Sequence, residues 1–412
     1  TYDGSVHTNS GASATVNGSA ATISNGVLST GIGSQSFTLS GYGSGTNAAT
    51  YTDNLALTAV SGTTASNYTI TYSNAALTIN KATIVLTGSA NSVTYDGSVH
   101  TNSGASATVN GSAATISNGV LSTGIGSQSF TLSGYGSGTN AATYTDNLAL
   151  TAVSGTTASN YTITYSNAAL TINKATIVLT GSANSVTYDG SVHTNSGASA
   201  TVNGSAATIS NGVLSTGIGS QSFTLSGYGS GTNAATYTDN LALTAVSGTT
   251  ASNYTITYSN AALTINKASA YVLVTSGQSN TYSSVPTINY TFYSTGTGTG
   301  GSVISSPVGL SGTATFTNAP TSSSNAATYA LTYSSGLSST NYTFNPAASS
   351  VNYVVNPVAI VLTGSANSVT YDGSVHTNSG ASATVNGSAA TISNGALSTG
   401  IGSQSFTLSG YG

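Results

Sequence analysis

A 93-residue block beginning Thr1-Tyr2-Asp3-Gly4 restarts at Thr94, at Thr187 and at Thr370. The third copy matches the first as far as Ala268, and the others match wherever they overlap it, apart from Ala396, which stands where the first copy has Val27. Periods of about 20–50 residues mark solenoids, whereas 93 residues is the size of a whole small domain. Each block must therefore close its own core, and the chain multiplies that unit so that length is the product. Such an array points to a structural or binding protein rather than an enzyme, whose site needs to be built only once.

Composition narrows the classes further. Charged residues are 2% of the chain, namely three Lys and seven Asp, with no Arg and no Glu, against about 25% in a typical soluble domain. The surface must be covered by hydroxyls and amides. A net charge of −4 over 412 residues generates almost no field. Nucleic-acid binding is excluded, since neutralising phosphates takes clusters of Lys and Arg, and electrostatic docking on anionic membrane is excluded on the same ground. Cysteine is absent, so there is no disulfide framework, thiolate metal site or thiol nucleophile. No apolar run approaches the ~18 residues of a membrane span. The chain begins and ends within a repeat, without Met at position 1. It reads as a window on a longer polypeptide, with any export signal or anchor outside.

The hydrophobic pattern has period 2. In Asn67-Tyr68-Thr69-Ile70-Thr71-Tyr72-Ser73 the Tyr and Ile side chains share one face and the Thr side chains the other. Ser36-Phe37-Thr38-Leu39-Ser40 and Ala76-Leu77-Thr78-Ile79-Asn80 alternate likewise, which predicts half-buried strands. No segment carries a helical stripe with caps. The pairs Asp3-Gly4, Asn17-Gly18, Asn25-Gly26 and Ser61-Gly62 mark turns between strands, and Asn-Gly and Asp-Gly suit type I′ hairpins, whose two central residues both need positive φ. About seven short strands per block, separated by turns, predict an all-β chain of tandem immunoglobulin-like β-sandwich repeats. The Cys and Trp of antibody domains are missing, so only the architecture is implied.

The boundaries fall near Lys81, Lys174, Lys267 and Pro357, where a last strand runs into a first strand with no flexible Gly-rich linker. Short, stiff joins favour an extended rod or filament. The predicted repeats are 1–81, truncated at its N-terminal side, then 82–174, 175–267, a diverged copy at 268–357, and 358–412, truncated at its C-terminal side. The diverged copy holds all five prolines and the glycine-rich stretch Ser294 to Gly301. Its Asn325-Ala326-Ala327-Thr328-Tyr329 matches Asn47 to Tyr51, and Asn341-Tyr342-Thr343-Phe344 echoes Asn67-Tyr68-Thr69-Ile70.

Four patterns in combination resemble the bacterial MBG and YDG repeat domains. They are Val93-Thr94-Tyr95-Asp96-Gly97, Asn140-Ala141-Ala142-Thr143-Tyr144, Ser159-Asn160-Tyr161-Thr162-Ile163 and the closing Leu170-Thr171-Ile172-Asn173-Lys174-Ala175. That resemblance implies Ig-like modules in tandem in large bacterial surface or secreted adhesin-like proteins. It implies an extracellular location and a stalk or adhesive role, and supplies no catalytic residues. The near absence of charge and the near identity of the copies depart from the common pattern.

The candidate chemistry within a repeat is thin. His7, with equivalents His100, His193 and His376, would need a Ser and an Asp beside it to form a triad, and Asp3 is expected on the far side of a turn. Two Asp per repeat and no Glu fall short of the six to eight oxygens that calcium takes; no metal, cofactor or catalytic residue is expected. Lys81, Lys174 and Lys267 are candidates for a Lys–Asn isopeptide cross-link beside an acid such as Asp53, although a solvated boundary lysine is the simpler reading. Asn17-Gly18-Ser19 and Asn67-Tyr68-Thr69 match glycosylation sequons, as chance alone produces in such a composition. Tyr42, flanked by Gly41 and Gly43, is the tyrosine expected at the surface.

The sequence thus points to a non-enzymatic extracellular array, a stalk or fibre. Two alternatives are a ligand-binding adhesin whose repeats hold glycan or a host protein, and a β-solenoid or cross-β fibril. Self-association is expected: identical repeats present identical edge strands with few of the charges and prolines that normally block edge pairing. Strand pairing or tight apolar contact is expected across the joins near Lys81 and Lys174.

Overall fold

Side-chain alternation and Asn-Gly turns produce many short strands among the described residues. The structure, a computed structural model, describes residues 1–297 and 300–410; Gly298 and Thr299 of the glycine-rich stretch and the last two residues lie outside the described residues. Among the described residues the only helical segments are three-residue 3₁₀ turns, such as Ala158–Asn160. Among the described residues no helix is long and apolar enough to cross a membrane. The fold is all-β and fits a β-sandwich.

Contacts divide the chain into two units. The first comprises Thr1–Leu179, Ala200–Leu225 and Leu243–Thr257; the second comprises Thr180–Ser199, Ser226–Ala242 and the chain from Tyr258 onwards. Residues 82–174 lie wholly in the first unit, 268–357 wholly in the second, and 175–267 contributes to both.

In the first unit, Ala82–Gly88 is the central strand of its sheet. It pairs antiparallel with Ala105–Val109, joining Ile84 to Val109 and Leu86 to Ala107. It pairs parallel with Tyr161–Ser166, joining Ile84 to Ile163. The alternation predicted from sequence appears in its burial: Ala82, Ile84 and Leu86 are each 0% exposed, while Thr83, Val85 and Thr87 face solvent. Asn91–Thr94 pairs parallel with Ala169–Asn173, which pairs antiparallel with Thr143–Thr145. A further sheet runs in the order Ile116–Ser117, Val120–Ser122, Ser129–Ser133, Ala149–Ala152. The turn Asn110-Gly111 has φ of 49° and 80°, the doubly positive geometry of a type I′ hairpin. The predicted type I′ turn at Asp3-Gly4 is corrected: only Gly4 is left-handed, because the Asp3 carboxylate accepts the Ser5 N–H and closes a side-chain-assisted turn instead.

The second unit repeats this plan in the diverged copy. Ala268–Val274 pairs antiparallel with Tyr290–Tyr293 and parallel with Tyr342–Pro346. Ser279–Thr281 pairs parallel with Val351–Asn356. Val351–Asn356 then pairs antiparallel with Ala327–Ser338.

The first repeat departs from its prediction in one place. Residues 68–73 form no strand, although the identical Tyr161–Ser166 does. The difference is pairing: Tyr161–Ser166 is held by Ala82–Thr87, and among the described residues no strand pairs with residues 68–73. Alternation alone does not make a strand when the backbone donors and acceptors lack a partner.

Candidate functional site: the joint between repeats

Each join is short. Lys174 is the single residue between Ala169–Asn173 and Ala175–Gly181, and Lys267 stands likewise between Ala262–Asn266 and Ala268–Val274. What surrounds the join is built from two of the recurring motifs.

The first motif is Thr-Tyr-Asp-Gly. The Tyr2 N–H donates to the Asn80 carbonyl at 2.7 Å, tying the tyrosine to the last segment of its own repeat. Its ring, 1% exposed, stands edge-on to Tyr161 of the following repeat, with centroids 5.5 Å apart at 78°. Tyr161 in turn stands edge-on to Phe130 at 5.3 Å and 89°. Edge-to-face geometry places the positive ring edge on a negative face, the preferred aromatic arrangement. The hydroxyls are linked as well: Gln128 Nε2 donates to Tyr2 Oη, and Tyr161 Oη donates to Gln128 Oε1 at 3.0 Å. Burial pushes the Tyr161 phenol above its ordinary pKa. The joint recurs between Tyr95 and Tyr254, at 5.6 Å and 80°, with Gln221 Nε2 donating to Tyr95 Oη. In the second unit Tyr188 stands edge-on to Tyr342 at 5.4 Å and 80°.

The second motif is Asn-Ala-Ala-Thr-Tyr. Tyr144 Oη donates back to the Asn140 carbonyl at 3.0 Å, which fixes the loop. The Asn140 side chain then meets the next repeat: Asn253 Nδ2 donates to Asn140 Oδ1 at 2.9 Å, and the Ala141 N–H donates to Asn253 Oδ1 at 2.9 Å. The same pair of bonds joins Asn160 to Asn47 and Ala48. In the second unit it joins Asn341 to Asn233 and Ala234. Asn160 is 1% exposed with both ends of its amide bonded, so this sequon asparagine offers no free nitrogen for a glycan.

Apolar packing is continuous through the joint. Tyr2 and Ile79 belong to one buried cluster with Ala82, Ile84, Leu86, Leu121 and Phe130. Ile125 presses on the Asp3-Gly4 turn: a Cβ on Gly4 would lie 3.1 Å from Ile125 Cγ2, and the φ of +80° also favours glycine. The gain is visible by comparison within the chain. Ile32, with no tyrosine motif before it, is 47% exposed, whereas Ile125 is 8% exposed. That difference contributes about 1 kcal/mol per joint, taking roughly 1.5–3 kcal/mol for complete burial of such a side chain. Edge-on aromatic rings and paired amides thus cross the join.

The histidine lies differently from its sequence-based placement. His100 Nε2 is 2.9 Å from Asp96 Oδ1 across the turn, with the Ser98 N–H on the same oxygen at 2.8 Å. The Ser98 N–H and the His100 ring together hold the Asp96 carboxyl below the usual carboxylate range. This pair fastens the turn that carries Tyr95 into the joint.

A buried carboxylate sits behind the second motif. Asp146, 2% exposed, accepts the Gly136 N–H at 2.8 Å and Asn102 Nδ2 at 3.0 Å to each oxygen. Asp53 and Asp239 are held in the same way by Asn9 and Asn195. Their hydrogen-bond partners are amides. Of the cross-link candidates, Lys81 and Lys174 are exposed, and Lys267 Nζ donates to the Ser339 carbonyl at 2.7 Å. Among the described residues no group of three or more His, Asp or Glu side chains is placed to hold a metal. Tyr42, expected at the surface, is half-buried; its equivalent Tyr135 packs against the core cluster, where burial pushes its phenol up.

A comparison of the chain with protein-family models finds no match, and no curated protein matches its sequence.

Proposed function

We propose that this chain is a non-enzymatic, load-bearing extracellular array: a stalk or fibre of tandem immunoglobulin-like sandwiches from a bacterial surface or secreted adhesin-like protein. The observation that carries the proposal is the parallel pairing of the strands at the two ends of a repeat. Ala82–Thr87 lies parallel to Tyr161–Ser166, and Asn91–Thr94 parallel to Ala169–Asn173. Tension enters near Ala82 and leaves near Asn173. It pulls the two strands of each parallel pair in opposite directions along their length. All the hydrogen bonds of a pair then share the load, whereas a hairpin pulled from its open end loses them one at a time. The same parallel pairs hold the diverged copy. The joints pass the load on without a flexible linker, and a surface of hydroxyls and amides stays indifferent to salt and pH outside a cell.

The test is to stretch the whole chain between its ends in a single-molecule instrument. The expected record is a series of abrupt steps, with those of the repeats 82–174 and 175–267 equal and each releasing roughly 300 Å of contour for 93 residues at about 3.3–3.6 Å per residue. Smooth extension without steps would overturn the load-bearing proposal.

A further inference from the structure

The repeats 82–174 and 175–267 each hold two Asn-Gly turns of the same backbone shape and unequal side-chain restraint. In the earlier repeat Val109 pairs with Ser112 across Asn110-Gly111, and Ser117 pairs with Val120 across Asn118-Gly119. The φ angles are 49° and 80° at the first turn, 48° and 71° at the second. Both asparagines are exposed. Asn110 Oδ1, however, accepts the Thr83 N–H at 3.0 Å, and the Asn110 N–H donates to the Thr83 carbonyl at 2.9 Å. Asn203 is tied to Thr176 by the same two bonds, each 2.9 Å. Among the described residues the Asn118 and Asn211 side chains carry no such bond, and both face solvent.

An asparagine before glycine has an electrophilic amide carbon beside a main-chain nitrogen that no side chain shields. The Gly119 nitrogen gives up its proton to hydroxide and attacks Asn118 Cγ. The N–Cγ bond forms, the Cγ–Nδ2 bond breaks, and Nδ2 leaves as ammonia after taking a proton from water. A cyclic imide remains, which water opens. Cleavage of the new N–Cγ bond gives aspartate. Cleavage of the original main-chain bond gives isoaspartate, whose main chain runs on through Cβ and Cγ. To react, the side chain must turn onto the glycine nitrogen. At Asn110 and Asn203 that motion breaks the bond from the neighbouring strand; at Asn118 and Asn211 it breaks none.

We propose that Asn118 and Asn211 are sites of spontaneous deamidation in the folded chain, with water as co-reactant, and that Thr83 and Thr176 protect Asn110 and Asn203 from it. The consequence is large in a chain so poor in charge. Residues 82–174 hold Asp96, Asp146 and Lys174 as their only Asp, Glu, Lys or Arg; two Asp against one Lys leave one net negative charge, and a single event doubles it. The new carboxylate lies beside Ile116–Ser117, the edge strand of its sheet, where a charge opposes pairing with another edge. Aspartate keeps the turn, since Asp-Gly also suits it. Isoaspartate adds a main-chain atom and breaks the Ser117–Val120 register beside Leu121, which is 0% exposed. The array thus carries a slow chemical timer that charges its edges and loosens its hairpins with age.

The experiment ages the full chain in mildly alkaline buffer, which speeds loss of the glycine proton, and then cleaves it after lysine. Residues 82–174 and 175–267 are identical in sequence and emerge as one peptide species, distinct from 1–81 and 268–412. Electron-transfer fragmentation locates each conversion and separates aspartate from isoaspartate. Conversion is expected at the Asn118 and Asn211 position, and about tenfold more slowly at the Asn110 and Asn203 position, the factor to which the net worth of one hydrogen bond corresponds. In a chain unfolded with guanidinium chloride the two positions are expected to react at similar rates, which assigns the difference to the fold. The variant Asn118→Gly keeps a residue suited to positive φ and makes the two peptides separable by mass. Its 175–267 peptide is expected to convert at Asn211 as before, and its 82–174 peptide about tenfold more slowly. Equal rates at the two positions of the folded chain, faster conversion at Asn110 and Asn203, a tenfold difference that persists on unfolding, or no conversion at Asn118 and Asn211 over a time in which the unfolded chain converts would each overturn the proposal.

Discussion

Replacing Asp146 by Ala removes the acceptor at the centre of a buried amide cluster, and the structure gives the cost. The Gly136 N–H and the Asn102 side-chain amide both donate to this carboxylate. Asn102 Nδ2 keeps a second partner in the Ser89 carbonyl at 3.0 Å. The substitution therefore orphans two donor hydrogens, one on Gly136 and one on Asn102, both buried. At about 1–3 kcal/mol for each unsatisfied buried donor, the repeat loses roughly 2–6 kcal/mol. The total stability of a domain this size is roughly 5–14 kcal/mol, at about 0.05–0.15 kcal/mol per residue. Urea titration of the full chain is expected to show one repeat unfolding early while the others keep their midpoint. The double variant Asp146→Ala, Asn102→Ala is expected to cost clearly less than the sum of the two single changes, because it removes donor and acceptor together. A loss below about 0.5 kcal/mol, or strict additivity in the double variant, would refute the reasoning.

Three further outcomes are expected. Tyr95→Phe keeps the ring against Tyr254 and loses only the bond from Gln221; a cost of about 0.5–1.5 kcal/mol is expected, read as a small drop in the unfolding midpoint. Gly134→Ala sets a Cβ against the Asn147 carbonyl at a φ of +86°, and chemical denaturation of this variant should show a loss of about 2 kcal/mol or more. The Asp96 carboxyl titrates lower in the folded chain than the ordinary value of 3.8, so its contribution is present above that value and is lost as pH falls through the lower folded value; Asp96→Asn should lower stability at neutral pH, and the gap between variant and parent should close as pH falls below 3.8.

The strands and hairpins were legible because their causes are local. Alternation put Phe37 and Leu39 on one face, and Asn-Gly pairs supplied the doubly positive φ that type I′ turns demand. The joint was hidden because its causes are not local. Tyr95 lies 126 residues from Gln221, and Asn140 lies 113 residues from Asn253; no period within a repeat says which tyrosine faces a neighbour. The signal was nevertheless present. The Thr-Tyr-Asp-Gly, Asn-Ala-Ala-Thr-Tyr and Ser-Asn-Tyr patterns, which carried the family resemblance, are the residues that meet at the joint. The diverged copy supports this: it has lost much of its sequence identity and kept Asn341-Tyr342, the pair that receives Tyr188 and Asn233. The His100–Asp96 contact was missed for a different reason. A four-residue separation was read as opposite sides of a turn, whereas the Asp96 side chain folds the turn around itself.

Stiffness of the joint is the central claim, and the absence of cysteine makes it directly measurable. Ser117→Cys and Ser210→Cys place spin labels at equivalent exposed positions of successive repeats within the first unit. Pulsed dipolar spectroscopy on the full chain should give one narrow distance distribution, and adding Tyr95→Ala should broaden it. A distribution already as broad as that of two domains on a flexible tether, unchanged by Tyr95→Ala, would contradict the account.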